Sequence, residues 1–112
     1  MSKKKTSQKV IVTVEDDSQI SELLEIVLNA EQLTVTKCSN GMEGLEAVRA
    51  KKPDLVILDV MMPVLSGWQV YDQIRADSAI AKTPILMLSV TRQNVERRQS
   101  FRDSKIDFYM NK

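Results

Sequence analysis

One hundred and twelve residues, 43% apolar and 28% charged with a net charge of +1, suffice for one globular domain with a modest core and give no general attraction to nucleic acid or membrane. No apolar run approaches the length of a membrane span and the start lacks a signal-peptide core, so the expected compartment is the cytoplasm. The lone Cys38 excludes an internal disulfide and a thiolate metal cluster, and the absence of histidine removes the commonest general acid–base group and the commonest transition-metal ligand. Acid chemistry here must run on carboxylates, hydroxyls, lysine and a hard metal.

In chain order, residues 1–9 read as a disordered basic tail carrying Lys3, Lys4, Lys5 and Lys9; a solvated leader explains such a run better than a binding arm does. Val10-Ile11-Val12-Thr13-Val14 is β-branched and almost wholly apolar, as a strand covered on both faces should be. Asp17 or Ser18 can cap a following helix, whose Ile20, Leu23, Leu24, Val27 and Leu28 recur at spacings of three and four to give one apolar stripe. Thr34 to Cys38 alternates and reads as an edge strand. Asn40 with Glu43 has the spacing of a capping pair for a helix bearing Leu45, Ala47 and Val48. Pro53 ends that helix, and Leu55-Val56-Ile57-Leu58 runs up to Asp59. Ser66 with Gln69 repeats the capping pattern before Trp68, Val70, Tyr71 and Ile74. Pro84 opens Ile85-Leu86-Met87-Leu88, which ends at Ser89. A polar helix is expected over 91–103 and a last strand over 106–111, with Lys112 at its end.

Strands alternating with helices imply a parallel sheet with right-handed crossovers and helices on both faces. In such open sheets ligands bind beyond the carboxyl ends of the strands. Glu15, Asp16, Asp59, Ser89 and Lys112 all fall at those ends. An acid at the tip of a buried strand costs several kcal/mol unless something compensates it (about 3 kcal/mol or more), so Asp59 reads as kept for chemistry. Three carboxylates brought together cannot all stay ionised without a cation among them, and Mg2+ is the hard, oxygen-binding ion that uses one or two carboxylates. Metal, ammonium and hydroxyl together suit a small dianion such as a phosphoryl group, with Asp59 as nucleophile and an aspartyl phosphate as product.

This pattern resembles the receiver domain of two-component response regulators. The resemblance runs from Val10 to Lys112 and rests on Val14-Glu15-Asp16-Asp17 after the first strand, on the run from Pro53 through Asp59 to Met62-Pro63 with Gly67 beyond, on Ser89 after an apolar strand, and on Tyr109 three residues before Lys112. It implies a flavodoxin-like α/β fold: an open five-stranded parallel sheet of order 2-1-3-4-5 with helices on both faces. It implies that Asp59 takes phosphate from a histidine kinase or histidine phosphotransfer protein. Asp16 and Asp59 would bind Mg2+ directly, with the backbone carbonyl of Met61 as third protein ligand and Glu15 acting through water. Ser89 would bond a phosphate oxygen, Lys112 would pair with another, and Tyr109 would be the aromatic switch. The domain expected is 10–112, without the fifth helix usual in the family. The lack of that helix should leave apolar residues of the last strands bare. An output domain or downstream protein is the expected partner, homodimer formation is left open, and neither direct nucleic-acid binding nor membrane association is expected.

Two other function classes compete. One is a receiver-like protein-interaction module that is never phosphorylated; the intact acidic set argues against it. The other is a phosphatase with an aspartate nucleophile, which needs a second aspartate two residues on, where this chain has Met61. A receiver catalyses its own phosphorylation and slow hydrolysis without being an enzyme in the ordinary sense.

Overall fold

β1 (Val10–Val14) is the frame on which the rest of the molecule is built. In the computed structural model, which describes residues 8–62, 64–89 and 108–111, β1 pairs in parallel with β2 (Thr34–Cys38) on one side and with β3 (Leu55–Asp59) on the other. β4 (Ile85–Ser89) follows beside β3, and β5 (Phe108–Asn111) beside β4. The sheet order is β2-β1-β3-β4-β5, all parallel. β2 lies at the edge, as its alternating sequence requires. The described part of the last strand is Phe108–Asn111; residues 106 and 107 of the strand expected over 106–111 lie outside the described residues. The helix expected over 91–103 lies outside the described residues, as do Lys112 and residues 1–7 of the basic tail. Gln8 and Lys9 are tied to the sheet: the Lys9 carbonyl accepts the Thr34 N–H at 2.9 Å, and the Gln8 side chain donates to the Gln32 carbonyl at 3.0 Å.

Among the described residues three helices link the strands: α1 (Ser18–Ala30), α2 (Gly41–Lys51) and α3 (Gly67–Ala76). Each starts on a side-chain cap that satisfies otherwise orphaned N–H groups. Asp17 accepts from Gln19 and Ile20 at the head of α1. Ser66 and Gln69 form the full reciprocal box at the head of α3. At α2 the expected pair is only half reciprocal. Asn40 accepts the Glu43 N–H at 2.9 Å, but Glu43 reaches one residue further back, to the N–H and hydroxyl of Ser39. The carboxylate thereby braces the turn out of β2.

The core divides across the sheet because successive strand residues face opposite sides. Val12, Val14, Val56, Leu58, Ile85 and Met87 pack with Leu45 and Val48 of α2 and with Val70, Tyr71 and Ile74 of α3. On the other face Ile11, Ile57 and Leu88 pack with Leu24 and Leu28 of α1 and with Leu33. The stripe expected on α1 is therefore split: Leu24 and Leu28 meet the sheet, whereas Leu23 and Val27, with Ile26, are exposed. The physical reason is angular. Those five apolar positions span a wider arc than one sheet face covers, so the outer members of the arc turn away. Leu55 and Leu86 on that face are only partly buried.

α2 sits unusually close to β1. A methyl group on Gly44 would meet Val14 Cγ2 at 2.5 Å, so glycine sets the helix–sheet distance there. That closeness fixes the carboxyl end of β1, where the acidic residues begin.

Candidate functional site

β1 ends in Val14 and hands the chain directly to Glu15 and Asp16, before the cap at Asp17. β3 ends in Asp59. Val14 pairs in register with Leu58, so the acids that follow each strand emerge at the same edge of the sheet. One carboxylate oxygen from each of Glu15, Asp16 and Asp59 falls within a cluster no more than 4.8 Å across. Glu15 and Asp59 are only 2% and 1% exposed, while Asp16 stands in solvent. Sequence reasoning nominated these three, and the fold brings all three together.

Backbone donors steady the buried acids. The Asp17 N–H donates to Glu15 Oε2 at 3.2 Å, and the Met61 N–H donates to Asp59 Oδ1 at 3.1 Å. The second contact brings the Met61 backbone beside the acid, where its carbonyl was expected to ligate a metal. The Glu15 N–H in turn donates to the Cys38 carbonyl at 3.0 Å, tying the acidic turn to β2. A groove of about 240 Å³ opens beside the cluster, lined by Glu15, Asp16, Ser18, Ser21, Lys37, Cys38, Ser39 and Glu43. Lys37 in that groove is paired with Glu25 at 2.9 Å. The Cys38 thiol is buried, and its pKa is raised by that burial and by the Glu43 carboxylate, with Lys51 pulling the other way. It is a packing group here, as a lone buried cysteine usually is.

Ser89 is the last residue of β4 and pairs in register with Asn111 of β5; Asp59 pairs with Leu88, one residue before it. The backbone of Ser89 is therefore at the same sheet edge as Asp59. Tyr109 pairs with Met87. The side chains of Ser89 and Tyr109, and the whole of Lys112, lie outside the described residues.

Two glycines that follow helix caps are packed in a way that spacing did not reveal, and one of them, Gly67, touches the site. Gly67, the first residue of α3, lies against the carbonyl oxygen of Asp59, and its N–H donates to the Val60 carbonyl at 3.1 Å. Gly41, the first residue of α2, lies against the Leu65 carbonyl and the Val70 side chain. The available signal was a glycine directly after a helix cap, where a side chain is ordinarily tolerated.

The donor set fits a hard divalent ion. It consists of oxygens alone, it holds two buried carboxyls whose mutual repulsion a cation relieves, and it keeps one exposed carboxylate toward solvent, where metal-bound waters can remain. A divalent cation held by such a set would neutralise charge on a phosphoryl group approaching Asp59.

Comparison with known proteins agrees with this geometry. The family model described as the response regulator receiver domain matches residues 11–112. The DNA-binding response regulator MtrA of Mycobacterium tuberculosis is 38% identical over 91 residues, which is 81% of this chain and 39% of that protein. The transcriptional regulatory protein CseB of Streptomyces avermitilis is 37% identical over 86 residues, 77% of this chain and 35% of that protein. The chain thus spans well under half the length of these curated relatives. Among solved structures, the N-terminal domain of a response regulator receiver protein from Methanoculleus marisnigri has a TM-score of 0.86 at 32% identity, covering 95% of this chain and 85% of the other. The response regulator TrrA from Thermotoga maritima, solved in complex with Mg2+-BeF, has a TM-score of 0.81 at 31% identity, covering 94% and 87%. With a family model matching residues 11–112 and relatives at 38% identity over 81% of its length, the chain belongs to the response regulator receiver domain family.

Proposed function

We propose that the chain is a phosphoryl-accepting signalling switch of a two-component system, with Asp59 as the acceptor. The observation that carries this reading is the convergence of Glu15, Asp16 and Asp59 within 4.8 Å at the carboxyl edge of the sheet, two of them buried. No structural need explains three acids placed so close, since each added like charge destabilises the fold unless a ligand offsets it.

In the proposed reaction an Asp59 carboxylate oxygen attacks the phosphorus of a phosphohistidine on a partner kinase or phosphotransfer protein. The P–N bond breaks, the imidazole nitrogen keeps the electron pair and takes a proton, and a P–O bond to Asp59 forms. Asp16, Asp59 and the Met61 carbonyl are the proposed Mg2+ ligands, with Glu15 acting through water. Bound Mg2+ supplies charge neutralisation for the phosphoryl oxygens. The Met61 N–H orients the Asp59 carboxylate through the bond to Oδ1, and Gly67 holds the Asp59 backbone from behind. Ser89 is proposed to bond a phosphoryl oxygen, Lys112 to pair with another, and Tyr109 to report the change to a partner surface. The proposed receiver unit is 10–112, working in the cytoplasm with an output domain or downstream protein, and catalysing only its own phosphorylation and slow dephosphorylation.

Incubation with acetyl phosphate and Mg2+ tests the reading. The expected result is a mass gain of one phosphoryl group that requires Mg2+ and is lost in Asp59→Asn. No gain, or a gain that survives Asp59→Asn, refutes it.

A further inference from the structure

Glu43 makes contacts at the head of α2 that capping does not require. Asn40 already accepts the Glu43 N–H at 2.9 Å, so the helix start has its side-chain cap. In a reciprocal box the carboxylate of the third helical residue returns to the N–H of the cap residue itself. Here it reaches past Asn40 and takes two bonds on one oxygen from Ser39, the backbone N–H at 2.9 Å and the hydroxyl at 3.2 Å. The residue it holds is the first beyond β2. β2 is an edge strand, and of its residues only Cys38 is buried. Packing therefore holds its end weakly, and hydrogen bonds to an ionised acceptor are among the stronger ties open to it.

Cys38, next to Ser39, passes that hold to the acids. Its carbonyl accepts the Glu15 N–H at 3.0 Å, and Glu15 Oε2 accepts the Asp17 N–H at 3.2 Å, which closes the turn through Asp16. Glu15 and Asp16 therefore stand between two strand ends, with Cys38 and Ser39 on the β2 side and Asp59 on the β3 side. Repulsion among the three acids, whose oxygens fall within 4.8 Å of one another, pushes the turn away from β3. The end of β2 is the stop it meets. We infer that Glu43 is a positioning residue for Mg2+: by fixing Ser39 and Cys38 it holds Glu15 and Asp16 at the spacing from Asp59 that the ion needs. The inference rests on the function proposed above. Glu43 itself stands outside the three-acid cluster. Mg2+ demands near-ideal octahedral geometry, so acids free to spread apart bind it less well, whereas phosphoryl transfer at an already loaded site is unchanged. Residues that orient ligands from outside the coordination sphere set metal affinity in this way. Glu43 also lines the groove beside the cluster, so its charge alone is the competing explanation, and charge and reach can be separated.

The test sets Glu43→Gln against Glu43→Asp. Glutamine keeps the length and an oxygen acceptor for Ser39 but removes the charge. Aspartate keeps the charge and suits the first turn of a helix, but it is one methylene too short to reach back to Ser39. Glu43 is exposed, so neither change leaves a buried void. The Kd for Mg2+ is measured on the full chain by titration calorimetry, and phosphorylation by acetyl phosphate is timed across a Mg2+ series. The expected result is a Kd within about twofold of wild type for Glu43→Gln and about tenfold weaker for Glu43→Asp. Glu43→Asp is expected to need about tenfold more Mg2+ for half-maximal phosphorylation and to reach the wild-type rate once Mg2+ saturates. A role in stability alone leaves the Kd of the folded chain unmoved. A wild-type Kd in Glu43→Asp therefore overturns the inference. A Kd in Glu43→Gln as weak as in Glu43→Asp also overturns it, because charge would then set the affinity. A slower Glu43→Asp at saturating Mg2+ overturns it likewise, by placing Glu43 in the phosphoryl step. A wild-type chain that binds Mg2+ but is inert to acetyl phosphate refutes the underlying function, while the Kd comparison still decides the role of Glu43. A wild-type chain that binds no Mg2+ refutes both.

Discussion

Gly67 and the carbonyl of Asp59 occupy adjoining space with no room for a side chain between them. A Cβ on Gly67 would also stand 2.8 Å from Val60 Cα and 2.9 Å from the Asp59 carbonyl carbon. Every one of these obstacles is backbone, so no rotamer change relieves the overlap. The head of α3 is thereby seated directly behind the acid.

Gly67→Ala is expected to destabilise the chain by about 3 kcal/mol, at the upper end of overpacking costs, although alanine is ordinarily the better residue in a helix. Urea unfolding measures this. The same variant is expected to accept phosphate more slowly, because the strand end carrying Asp59 must shift. A variant as stable and as reactive as wild type would show that α3 can move away from β3 without cost.

Thr13 gives a second prediction. Its hydroxyl is fully buried in β1 and has no hydrogen-bond partner among the described residues. Burying an unpaired hydroxyl costs about 1–3 kcal/mol, whereas an apolar group of the same shape costs nothing comparable. Thr13→Val keeps the β-branched shape and is expected to stabilise the fold by about 1 kcal/mol. A denaturation midpoint equal to or below that of wild type would contradict it.

Much of the architecture was legible because strand and helix periods are written plainly. The apolar runs ending at Val14, Asp59 and Ser89, and caps such as Asp17 and Ser66, leave little choice of element, and parallel order follows from alternation and handedness. The acidic cluster was legible for the same reason: Glu15, Asp16 and Asp59 directly follow or end adjacent strands. Three features were not. The split of the α1 stripe depends on how wide a face the sheet offers, a tertiary quantity that spacing does not contain. The bond of Glu43 to Ser39 rather than Asn40 depends on the turn out of β2. The packing of Gly67 on Asp59 depends on how closely a helix approaches a strand, and a glycine after a cap has the same sequence signature whether or not anything touches it.

The carboxylate cluster predicts a metal-linked stability. Mg2+ is expected to raise the melting temperature in a concentration-dependent way, by the equivalent of about 2.7 kcal/mol at a hundredfold excess over Kd. Asp16→Asn removes one acid without emptying a buried space, since Asp16 is exposed, and is expected to abolish most of that gain. Equal Mg2+ stabilisation of wild type and Asp16→Asn by calorimetry would remove Asp16 from the metal site.

Cys38 predicts a dependence on alkaline pH. Its thiol titrates above its ordinary value of 9.0, chiefly because it is buried and secondarily because Glu43 is near. A group whose folded pKa is raised binds its proton more tightly in the folded chain. The unfolded chain therefore loses that proton first as pH rises, and stability falls from about the ordinary pKa upward. The contribution is intact below pH 9 and is lost as pH climbs through the folded value. Unfolding free energies measured from pH 7 to pH 10.5 are expected to fall more steeply for wild type than for Cys38→Ala. The thiol is also expected to resist alkylation at pH 7 in the folded state. Parallel pH profiles for the two proteins would contradict this account.

Met61 predicts the lifetime of the phosphorylated state. Its backbone N–H holds Asp59 Oδ1 at 3.1 Å, and its side chain is half-exposed at the mouth of the site. Hydrolysis of an aspartyl phosphate needs a water aligned on phosphorus opposite the Asp59 oxygen. A thioether is a weak acceptor with no proton to donate, so it cannot fix such a water, and its apolar bulk displaces one. Met61→Asn places a carboxamide, both donor and acceptor, at the same point. If it lowers the barrier by about 1 kcal/mol, the phosphorylated lifetime shortens about fivefold. The variant is also expected to accept phosphate from acetyl phosphate at a rate near that of wild type, because the backbone N–H to Asp59 is kept. Decay of the phosphorylated chain after removal of donor reads the lifetime directly. An unchanged or longer lifetime would mean that access of water to the phosphoryl group is governed elsewhere in the site.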